Sequence, residues 1–336
     1  MNSLHLSAAR VKKLLEAARR SRLLVIGDVM LDQFIWGSVT RISPEAPVPI
    51  VDFQQESFMP GGAANVARNL NALQAEVELF GIVGTDAAAD ALQTLLTTQR
   101  IGCRGLVATP ARQTGLKTRI VAQTQQVVRI DRESRNEVSP ALTRRLLANL
   151  ERHVHQADAV IVGDYGKGVV TQNLLEALKP LCRARGLWLS LDPKPVHPLQ
   201  LAGLSLITPN RREAFELAGV ADATRDADPL ADANLMQAAA GLLRELRPAV
   251  LLITLGEQGM LLCTRGQAPV HIPTVAQEVF DVSGAGDTVI ATFTLAIAAG
   301  ASPLEAAIFA NHAAGIVVGK VGTATATPDE LLARFR

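Results

Sequence analysis

The stretch from Asp281 to Thr288 reads DVSGAGDT, and its residue types and spacing are those that binding an anion requires. Gly284 and Gly286 have no side chain, so the backbone can approach an anion closely and point successive N–H groups at it. An uncharged helical pattern follows, and the start of a helix adds about half a positive charge there. Asp287 falls in the first helical turn, where a carboxylate can take a proton from an attacking hydroxyl. Gly284, Ala285, Gly286 and Asp287 are therefore candidate catalytic residues, although a plain turn and an ordinary first-turn acid give the same pattern.

A second glycine loop follows an apolar run that ends at Thr254. Gly256 and Gly259 lie about 30 residues before Asp287, a spacing that could bring the two loops to neighbouring strand ends. By itself the G-x-x-G pattern favours a plain hairpin. Neither loop matches G-x-G-x-x-G or G-x-x-x-x-G-K-[ST], so the sequence predicts neither a Rossmann dinucleotide site nor a P-loop.

Polar residues near the amino terminus follow a short apolar run at 23–26. Asp28 and Asp32 come directly after it, and ligands of open α/β sheets lie at the carboxyl ends of the strands. For Asp28 we favour a strand-end cap. The turn that contains Gly61 and Gly62 leads into a helix with Asn65, whose amide both donates and accepts and so suits a ligand with many hydroxyls.

Three more predicted strand ends in the middle of the chain carry polar residues. The first is Asp164-Tyr165-Gly166-Lys167, which contains the only tyrosine, and the second ends at Asp192-Pro193-Lys194. The third carries Asn210 and Glu213, three residues apart at the start of a helix. That pair could order the water shell of Mg²⁺. It is also an ordinary capping box, which is the favoured interpretation of the pair alone.

The elements that must hold these residues alternate between strand and helix. Nearly all-apolar runs of four to six residues, typical of a parallel sheet covered on both faces, occur at 23–26, 77–80, 159–162, 187–191, 204–208 and 250–254. Helical patterns lie between them at 63–73, 87–99, 140–155, 173–185, 211–218 and 235–246. The predicted class is α/β, with a central, mostly parallel sheet and helices on both faces.

Two segments break this alternation. Residues 32–58 and 113–131 show period-2 patterns without helices, which predict antiparallel strands with one wet face. We expect the two inserts to form a small β-sheet lid on one domain that spans residues 1–336, in preference to two domains.

Composition excludes several classes of function. The chain has 33 Lys and Arg against 32 Asp and Glu, which argues against a nucleic-acid coat or a polybasic membrane binder. Cys103, Cys182 and Cys263 form no C-x-x-C pair and suit a reducing cytoplasm. None of the six histidines lies in an H-E-x-x-H pattern, so catalytic zinc is not expected. The uncharged stretch from Thr288 to Leu304 is interpreted as one buried core helix, and no membrane insertion is expected.

Three motifs in the correct order resemble those of the ribokinase-like (PfkB) sugar kinases. They are Gly61–Ala67, Asp281–Thr288 and the N-x-x-E motif at Asn210–Glu213, and the resemblance extends from residue 23 to about 328. It implies a ribokinase-like fold and an ATP- and Mg²⁺-dependent transfer of phosphate to an alcohol.

Other segments resemble the D-glycero-D-manno-heptose 7-phosphate kinases of lipopolysaccharide assembly. These segments are Gly27–Asp32, Arg41–Pro49 and Ala276–Asp281. Such enzymes phosphorylate the C1 hydroxyl, giving heptose 1,7-bisphosphate on the route to ADP-heptose. The sequence has no H-x-G-H motif of the nucleotidylyltransferase domain that follows in many of them, so the expectation is a single-function kinase.

The resemblance also implies a role for each matching residue. Asp287 would be the catalytic base, and the amides of Gly284, Ala285 and Gly286 would form the anion hole. Asn210 and Glu213 would order Mg²⁺ through water, while the ATP side would consist of Lys194, Asn210, Thr254, Gly256, Gly259, Gly284, Gly286 and Asn311. Asp32, Gly61, Gly62 and Asn65 would bind sugar hydroxyls, and the lid would mediate a homodimer.

The phosphate of such a substrate needs cations. Five basic residues lie in or beside the lid and the substrate strands, and at least one is expected to contact that phosphate: Arg41, Lys117, Arg119, Arg129 and Lys167. The nearest alternative is a kinase of the same fold for fructose, ribose, fructose 1-phosphate or a nucleoside. An alternative of another class is a non-catalytic sugar- or nucleotide-binding regulator, against which the presence of Asp287, Asn210 and Glu213 argues.

Overall fold

The structure, a computed structural model, describes residues 6–123, 125–276 and 278–335. Thr124 of the predicted insert 113–131 and Gln277 of the segment 276–281 lie outside the described residues. Helices occupy α1 (Ala8–Ala18), α2 (Ala63–Ala72), α3 (Ala87–Thr98), α4 (Pro140–Glu151), α5 (Gln172–Ala184), α6 (Arg211–Ala218), α7 (Ala233–Leu246), α8 (Ala285–Ala298), α9 (Pro303–Val317) and α10 (Pro328–Ala333).

The strands are divided between two sheets. They are β1 (Arg22–Gly27), β2 (Val29–Ile42), β3 (Pro49–Gly62), β4 (Glu76–Val83), β5 (Gly102–Ala108), β6 (Gly115–Ala122), β7 (Gln125–Arg132), β8 (Ala159–Gly163), β9 (Trp188–Asp192), β10 (Leu206–Ile207), β11 (Val250–Thr254), β12 (Met260–Thr264) and β13 (Val270–Ile272). The larger sheet of the described residues has nine strands in the order β13-β12-β11-β10-β9-β8-β1-β4-β5. Its strands from β11 to β5 are parallel, and β12 and β13 extend it antiparallel.

Helices cover both faces of this sheet, as its nearly all-apolar strands predict. One buried cluster packs α1, α2, α3, α8 and α9 on one face, and a second packs α4, α5, α6 and α7 on the other. Side chains of neighbouring positions in β1 belong to different clusters, because successive residues of a strand point to opposite faces: Leu23 and Val25 to the first, Leu24 and Ile26 to the second.

The two inserts pair with each other in a second sheet, which we call the lid sheet. Its order is β3-β2-β6-β7, with β2 antiparallel to β3 and parallel to β6, and with β6 antiparallel to β7. The edge strand β3 is exposed mainly along its middle, residues 52–56, and every described residue of the other edge strand, β7, is exposed. The base of β2 follows β1 directly, so the lid sheet rises from the carboxyl edge of the larger sheet.

The expectation of one helix from Thr288 to Leu304 is wrong. The segment is divided between α8 and α9, because Gly300 has a left-handed φ of 86° just after α8. Ser302 then begins α9 with a capping box to Glu305, and Pro303 occupies the first turn. Both helices are nonetheless largely buried, as their lack of charge suggests. No helix in the described ranges combines the length and the apolar character that a membrane crossing needs.

Candidate active site

The carboxyl ends of five adjacent parallel strands bring most of the candidate residues together. β1, β8, β9, β10 and β11 are neighbours in the sheet, and each leads into a polar residue. These residues are Asp28, Asp164, Asp192, Asn210 and Thr254. Parallel strands end at a common edge, so residues far apart in sequence meet there, and the start of α8 faces the same edge.

Asp287 lies in the first turn of α8 and accepts hydrogen bonds on both carboxylate oxygens. Asn65 Nδ2 donates to Oδ2 at 2.6 Å, and the Tyr165 hydroxyl donates to Oδ1 at 2.6 Å. Burial raises the pKa of Asp287 to about 6, with a smaller contribution in the same direction from Asp32. The hydrogen bonds from Asn65 and Tyr165, and the charge of Lys117, oppose that rise. A carboxylate in this state can accept a proton near neutral pH.

The backbone before α8 has the conformation that an anion-binding turn requires. Gly284 has a φ of 78°, and a Cβ there would come within 2.8 Å of Asn65 Nδ2, so glycine is needed on both counts. The Ala285 amide donates to Val282 O at 3.2 Å. Within the described residues, the amides of Gly286 and Asp287 have no hydrogen-bond partner, which leaves them for a ligand at the helix start.

Asp28 is a strand-end cap, the interpretation favoured from the sequence. Its buried carboxylate accepts hydrogen bonds from the backbone N–H groups of Tyr165, Lys167 and Val169, each at 2.9 Å. These bonds fold the loop after β8 across the end of β1. Asp28 therefore determines where the Tyr165 hydroxyl lies, and through it the orientation of Asp287.

A buried polar network joins α2 to α8 behind the site. The Thr288 hydroxyl donates to Asn69 Oδ1 at 2.9 Å, and Asn69 Nδ2 donates to Asn65 O at 2.9 Å. The network fixes Asn65, whose side-chain nitrogen points to Asp287. Asn65 Oδ1 is buried and has no partner among the described residues, so it is available to accept from a ligand hydroxyl.

An acidic group lies on the other side of Asp287. Asp192 accepts from the Thr208 hydroxyl at 2.9 Å, and a Cβ on Gly286 would lie 4.0 Å from Asp192 Oδ2. Burial first, and then the charges of Glu213 and Asp287, raise the pKa of Asp192 well above its usual range. Carboxylates that repel each other in this way favour a cation between or beside them.

The Asn210 and Glu213 pair forms the capping box that the sequence favours for these two residues alone. Asn210 Oδ1 accepts from the Glu213 amide, and Glu213 Oε2 accepts from the Asn210 amide, both at 3.0 Å. Glu213 Oε1 also pairs with Lys194 Nζ at 2.8 Å. In the described part of the chain, no group of three or more His, Cys, Asp or Glu side chains is arranged to hold a metal ion. A divalent cation here would therefore contact these carboxylates through water, and their surplus negative charge fits that role.

The glycine loop after β11 connects two antiparallel strands. Gly256 begins a short 3₁₀ turn, Gly256–Gln258, and Gly259 follows it. The turn joins β11 to the antiparallel β12, so the loop is the plain hairpin that the G-x-x-G pattern favours. Its first strand reaches the acidic group, because Thr254 is bridged to Asn210 and its amide donates to Pro209 O at 3.0 Å. Asn311 is buried on α9 and donates to Pro273 O at 2.7 Å, which holds the segment that follows β13.

The sugar-side candidates lie at the base of the lid sheet. Asp32 is buried and pairs with Arg119 Nη1 at 2.6 Å, and the guanidinium of Arg119 also lies over the Phe34 ring. A Cβ on Gly61 would come within 2.6 Å of Asp32 Oδ2, so glycine at this position makes room for that carboxylate. Gly62 precedes α2 with a φ of 59° and brings the start of the helix toward the site.

Comparison with known proteins identifies the family. The sequence profile described as "pfkB family carbohydrate kinase" matches residues 20–330. The chain belongs to the pfkB family of carbohydrate kinases. It is therefore a phosphotransferase with a hydroxyl acceptor.

Several curated relatives of this pfkB kinase carry the name "Bifunctional protein HldE". The protein of Desulfatibacillum aliphaticivorans is 44% identical over 94% of this chain and 63% of its own length. That of Caulobacter sp. (strain K31) is 45% identical over 95% of this chain and 64% of its own length. The chain thus spans less than two thirds of the length of these relatives.

Solved structures confirm the expected ribokinase-like fold of this pfkB kinase. Arabidopsis thaliana ribokinase, solved with ribose and ATP, superposes with a TM-score of 0.73 at 20% identity, covering 94% of this chain and 99% of that one. Escherichia coli phosphofructokinase-2, solved with potassium, gives 0.72 at 20% identity, covering 94% and 99%. At this identity the likeness concerns the fold alone.

The structure of this pfkB kinase separates the five predicted phosphate-binding cations. Lys117 and Lys167 line a small pocket below the lid sheet, and Arg119 is held by Asp32. Arg129 is exposed and pairs with Asp131 at 2.8 Å on the same strand. Arg41 is exposed nine positions after Asp32 along β2, which corresponds to about 25–30 Å of strand. The structure therefore does not bring Arg41 to the other candidates.

Three residues of this region have no role that the sequence alone predicts. In the sequence Tyr165 is notable only as the single tyrosine, Asp192 only as the polar end of a strand, and Arg112 has no distinguishing feature. The signal for the first two is their position after predicted strands. For Arg112, which lies before β6 and lines the pocket with Lys117 and Lys167, the sequence carries no signal of its own.

Proposed function

We propose that this carbohydrate kinase transfers the γ-phosphoryl group of ATP to the C1 hydroxyl of D-glycero-D-manno-heptose 7-phosphate. The product would be heptose 1,7-bisphosphate, an intermediate on the way to ADP-heptose and the lipopolysaccharide inner core. Two observations support this substrate: the segments 27–32, 41–49 and 276–281 resemble heptose 7-phosphate kinases, and relatives at 42–45% identity carry the name HldE.

The observation that carries the proposal is the pair of hydrogen bonds on Asp287. The donors Asn65 and Tyr165 hold both carboxylate oxygens at 2.6 Å, at the start of a helix where the amides of Gly286 and Asp287 are free for an anion. Asp287 accepts the proton of the sugar hydroxyl as that oxygen attacks the γ-phosphorus. The new O–P bond forms while the bond from phosphorus to the β,γ-bridging oxygen breaks, ADP leaves, and the proton passes from Asp287 to solvent.

The remaining candidates supply position and charge. The amides of Gly284 and Gly286 and the helix end would stabilise the charge on the transferred group, whereas the amide of Ala285, the third residue predicted for the anion hole, already donates to Val282 O. Asp32, Gly61, Gly62 and the unpartnered Oδ1 of Asn65 would orient the sugar hydroxyls. Lys194, Thr254, Gly256, Gly259 and Asn311 would lie along ATP. Mg²⁺, ordered through water by Asn210 and Glu213, would supply charge neutralisation on the phosphates.

Three further features belong to the same proposal. We propose a homodimer built through the lid sheet, because that sheet exposes apolar side chains such as Phe53 (64%) and Ile130 (53%). We also propose that residues 1–336 form one domain. We propose that the enzyme works in the cytoplasm, because ATP is available there and the free thiols of Cys103, Cys182 and Cys263 stay reduced.

An ADP-release assay across sugars and sugar phosphates tests the proposed function. We expect turnover with heptose 7-phosphate well above that with fructose, ribose, fructose 1-phosphate or nucleosides, and a product with phosphate on C1 by NMR. Phosphorylation of another position, or a better substrate elsewhere in the panel, would contradict the proposed substrate. A chain that releases no ADP with any acceptor would instead support the non-catalytic regulator.

A further inference from the structure

A small cationic pocket lies at the base of the lid sheet, beside the proposed sugar site. Its volume is about 10 Å³, room for one water molecule, so the side chains at its rim would have to move apart to admit a phosphate group. It is bounded by the end of β1, the first residues of β2 and β6, the loop after β7 and the loop after β8. Its charged lining consists of Arg112, Lys117 and Lys167 together with Asp28 and Glu133. The cations outnumber the carboxylates, and both carboxylates are already engaged by hydrogen bonds.

The hydrogen bonds of the three cations leave donors unused. Arg112 Nη2 donates to Ser134 O at 3.0 Å and to Lys167 O at 2.6 Å, but its Nη1 is buried and has no partner within the described residues. Lys167 pairs with Glu133 at 2.6 Å, and Glu133 also receives Arg135 at 2.9 Å. Lys117 forms no ion pair with any residue that the structure describes.

Partial burial makes the charges of Lys117 and Arg112 unfavourable, because some of their donor groups have lost water and gained no partner among the described residues. The pKa of Lys117 lies below its usual value, chiefly because of desolvation, although Asp32, Asp131 and Glu133 oppose the shift. The pKa of Arg112 is lowered for the same reason, against the attraction of Asp28. Charged donor groups that have lost water without gaining a partner in the described part of the chain, here Arg112 Nη1 and Lys117 Nζ, are stabilised by an anion that enters the pocket.

The pocket also lies where a second group of the substrate would reach. Lys117 is the register partner of Asp32 across β2 and β6, and its charge is felt by Asp287. Lys117 therefore lines the side of the pocket that faces Asp32 and the proposed base. A sugar with its reacting hydroxyl at Asp287 would direct its far end toward Arg112 and Lys167.

We infer that Arg112, Lys117 and Lys167 form an anion subsite for a phosphate monoester on the substrate carbon remote from the reacting hydroxyl. This inference deepens the proposed function and rests on it for the orientation of the substrate. It assigns the phosphate to Lys117 and Lys167 among the five predicted cations and adds Arg112. Arg41, Arg119 and Arg129 lie outside the subsite, since none of them lines the pocket.

The first test compares two acceptors that differ only in the remote phosphate. At about pH 8.5 Asp287 is ionised with or without the charge of Lys117, so the base is the same in both proteins. There we expect Lys117→Met to lower kcat/KM for heptose 7-phosphate about 10- to 100-fold more than it lowers kcat/KM for phosphate-free heptose, the value of a lost charged hydrogen bond. Lys117→Arg should recover part of the loss, because it restores the charge. The matched control is Lys12→Met, an identical change on exposed α1. If Lys117→Met lowers both acceptors equally, the subsite is overturned and the kinase assignment stands.

The second test needs no turnover. Inorganic phosphate and sulfate should raise the melting temperature of the wild-type chain and of Lys12→Met, and should raise that of Lys117→Met clearly less. Without added anion, Lys117→Met should melt no lower than wild type, because it removes a half-buried cation that forms no ion pair within the described residues. Equal protection of wild type and Lys117→Met, or a ligand-free variant that melts markedly lower, contradicts the subsite. Anion protection that depends on Lys117, in a chain inactive on heptose 7-phosphate, would contradict the proposed substrate while supporting the subsite.

Discussion

Asp287 is oriented by two neutral donors, and no cation pairs with it among the described residues. Its carboxylate therefore keeps the basicity that proton transfer needs, while its geometry stays fixed. The substitution Asp287→Asn replaces one carboxylate oxygen with an amide nitrogen, which cannot accept the proton. It should lower kcat by about 10²–10⁴-fold and leave ATP affinity within a few-fold of wild type. ADP release and ATP titration measure the two effects. Near-normal turnover in this variant would exclude the base role.

The same environment predicts a stability gain from that substitution. The pKa of Asp287 is raised from 3.8 to about 6, so the folded protein binds a proton that the unfolded chain releases between these values. Stability from this group is full below pH 4 and is lost as the pH rises through about 6. At pH 7.5 we expect the free energy of unfolding of Asp287→Asn to exceed that of wild type by about 1–2 kcal/mol. The difference is smaller than the full pKa shift would give, because the Asp287 side chain is partly accessible to solvent. A difference that does not shrink between pH 7.5 and pH 4.5 would contradict this explanation.

Tyr165 provides a separate test through the pH profile. Because the base must be ionised, kcat/KM should fall as the pH drops through about 6. The Tyr165 hydroxyl stabilises the carboxylate, as do Asn65 and Lys117, whereas burial and Asp32 oppose ionisation. Tyr165→Phe removes one stabilising donor, so the acidic limb should move to higher pH by about half a unit to one unit. An unchanged limb with reduced kcat would mean that Tyr165 only supports the loop.

The sequence predicts where individual residues lie when their spacing along the chain carries the information. The glycines and Asp287 lie within one short motif, so their common location at a helix start could be predicted. Tyr165 and Asp287 are 122 positions apart, and their hydrogen bond depends on how Asp28 folds the loop after β8. Charge could likewise be read from the sequence, but which lysine lacks a partner depends on tertiary contacts.

At the scale of elements, apolar runs located the central parallel strands, since a strand buried on both faces is continuously apolar. The apolar runs do not reveal the antiparallel strands β12 and β13 or the edge strand β5. β5 includes Gly102, Gly105 and exposed Arg104, a mixed pattern typical of an edge strand with partial burial. The division of α8 from α9 depends on the turn at Gly300, which the sequence shows only as one glycine in an uncharged run.

The contact between α2 and α8 also has a predicted energetic role. Thr288→Val keeps the shape of the side chain but leaves the buried Asn69 Oδ1 without its donor. We expect the free energy of unfolding to fall by about 1–3 kcal/mol in chemical denaturation. The control is Thr98→Val, which removes a similar hydroxyl bonded to the carbonyl four residues earlier but lies exposed in α3. Its effect should stay within about 0.5 kcal/mol. Equal effects would mean that α2 and α8 are held by apolar contacts alone.

At the scale of the molecule, the lid sheet exposes more apolar surface than its position explains. Exposed apolar side chains occur on three of its strands: Ile42, Phe53, Val127, Val128 and Ile130. The edge strand β7 is exposed at every described position, so neither of its faces is covered by the body of the same chain. Apolar groups on an uncovered sheet with a free edge favour association with another protein surface. A second copy of this chain presents the same surface, so it can cover the exposed apolar groups and pair with the free strand edge at the same time.

The proposed homodimer can be tested by charging that surface. We expect the wild-type chain to elute as a dimer in size-exclusion chromatography with light scattering. Phe53→Glu combined with Ile130→Glu should shift it to a monomer, because two buried carboxylates without partners oppose association by several kcal/mol. Leu230→Glu, which charges an exposed apolar residue outside the lid sheet, should stay dimeric. The lid strands also carry Asp32 and Lys117, so loss of the dimer should raise KM for the sugar more than KM for ATP. A monomeric wild type, or a doubly charged variant that remains dimeric, would show that this surface has a different partner.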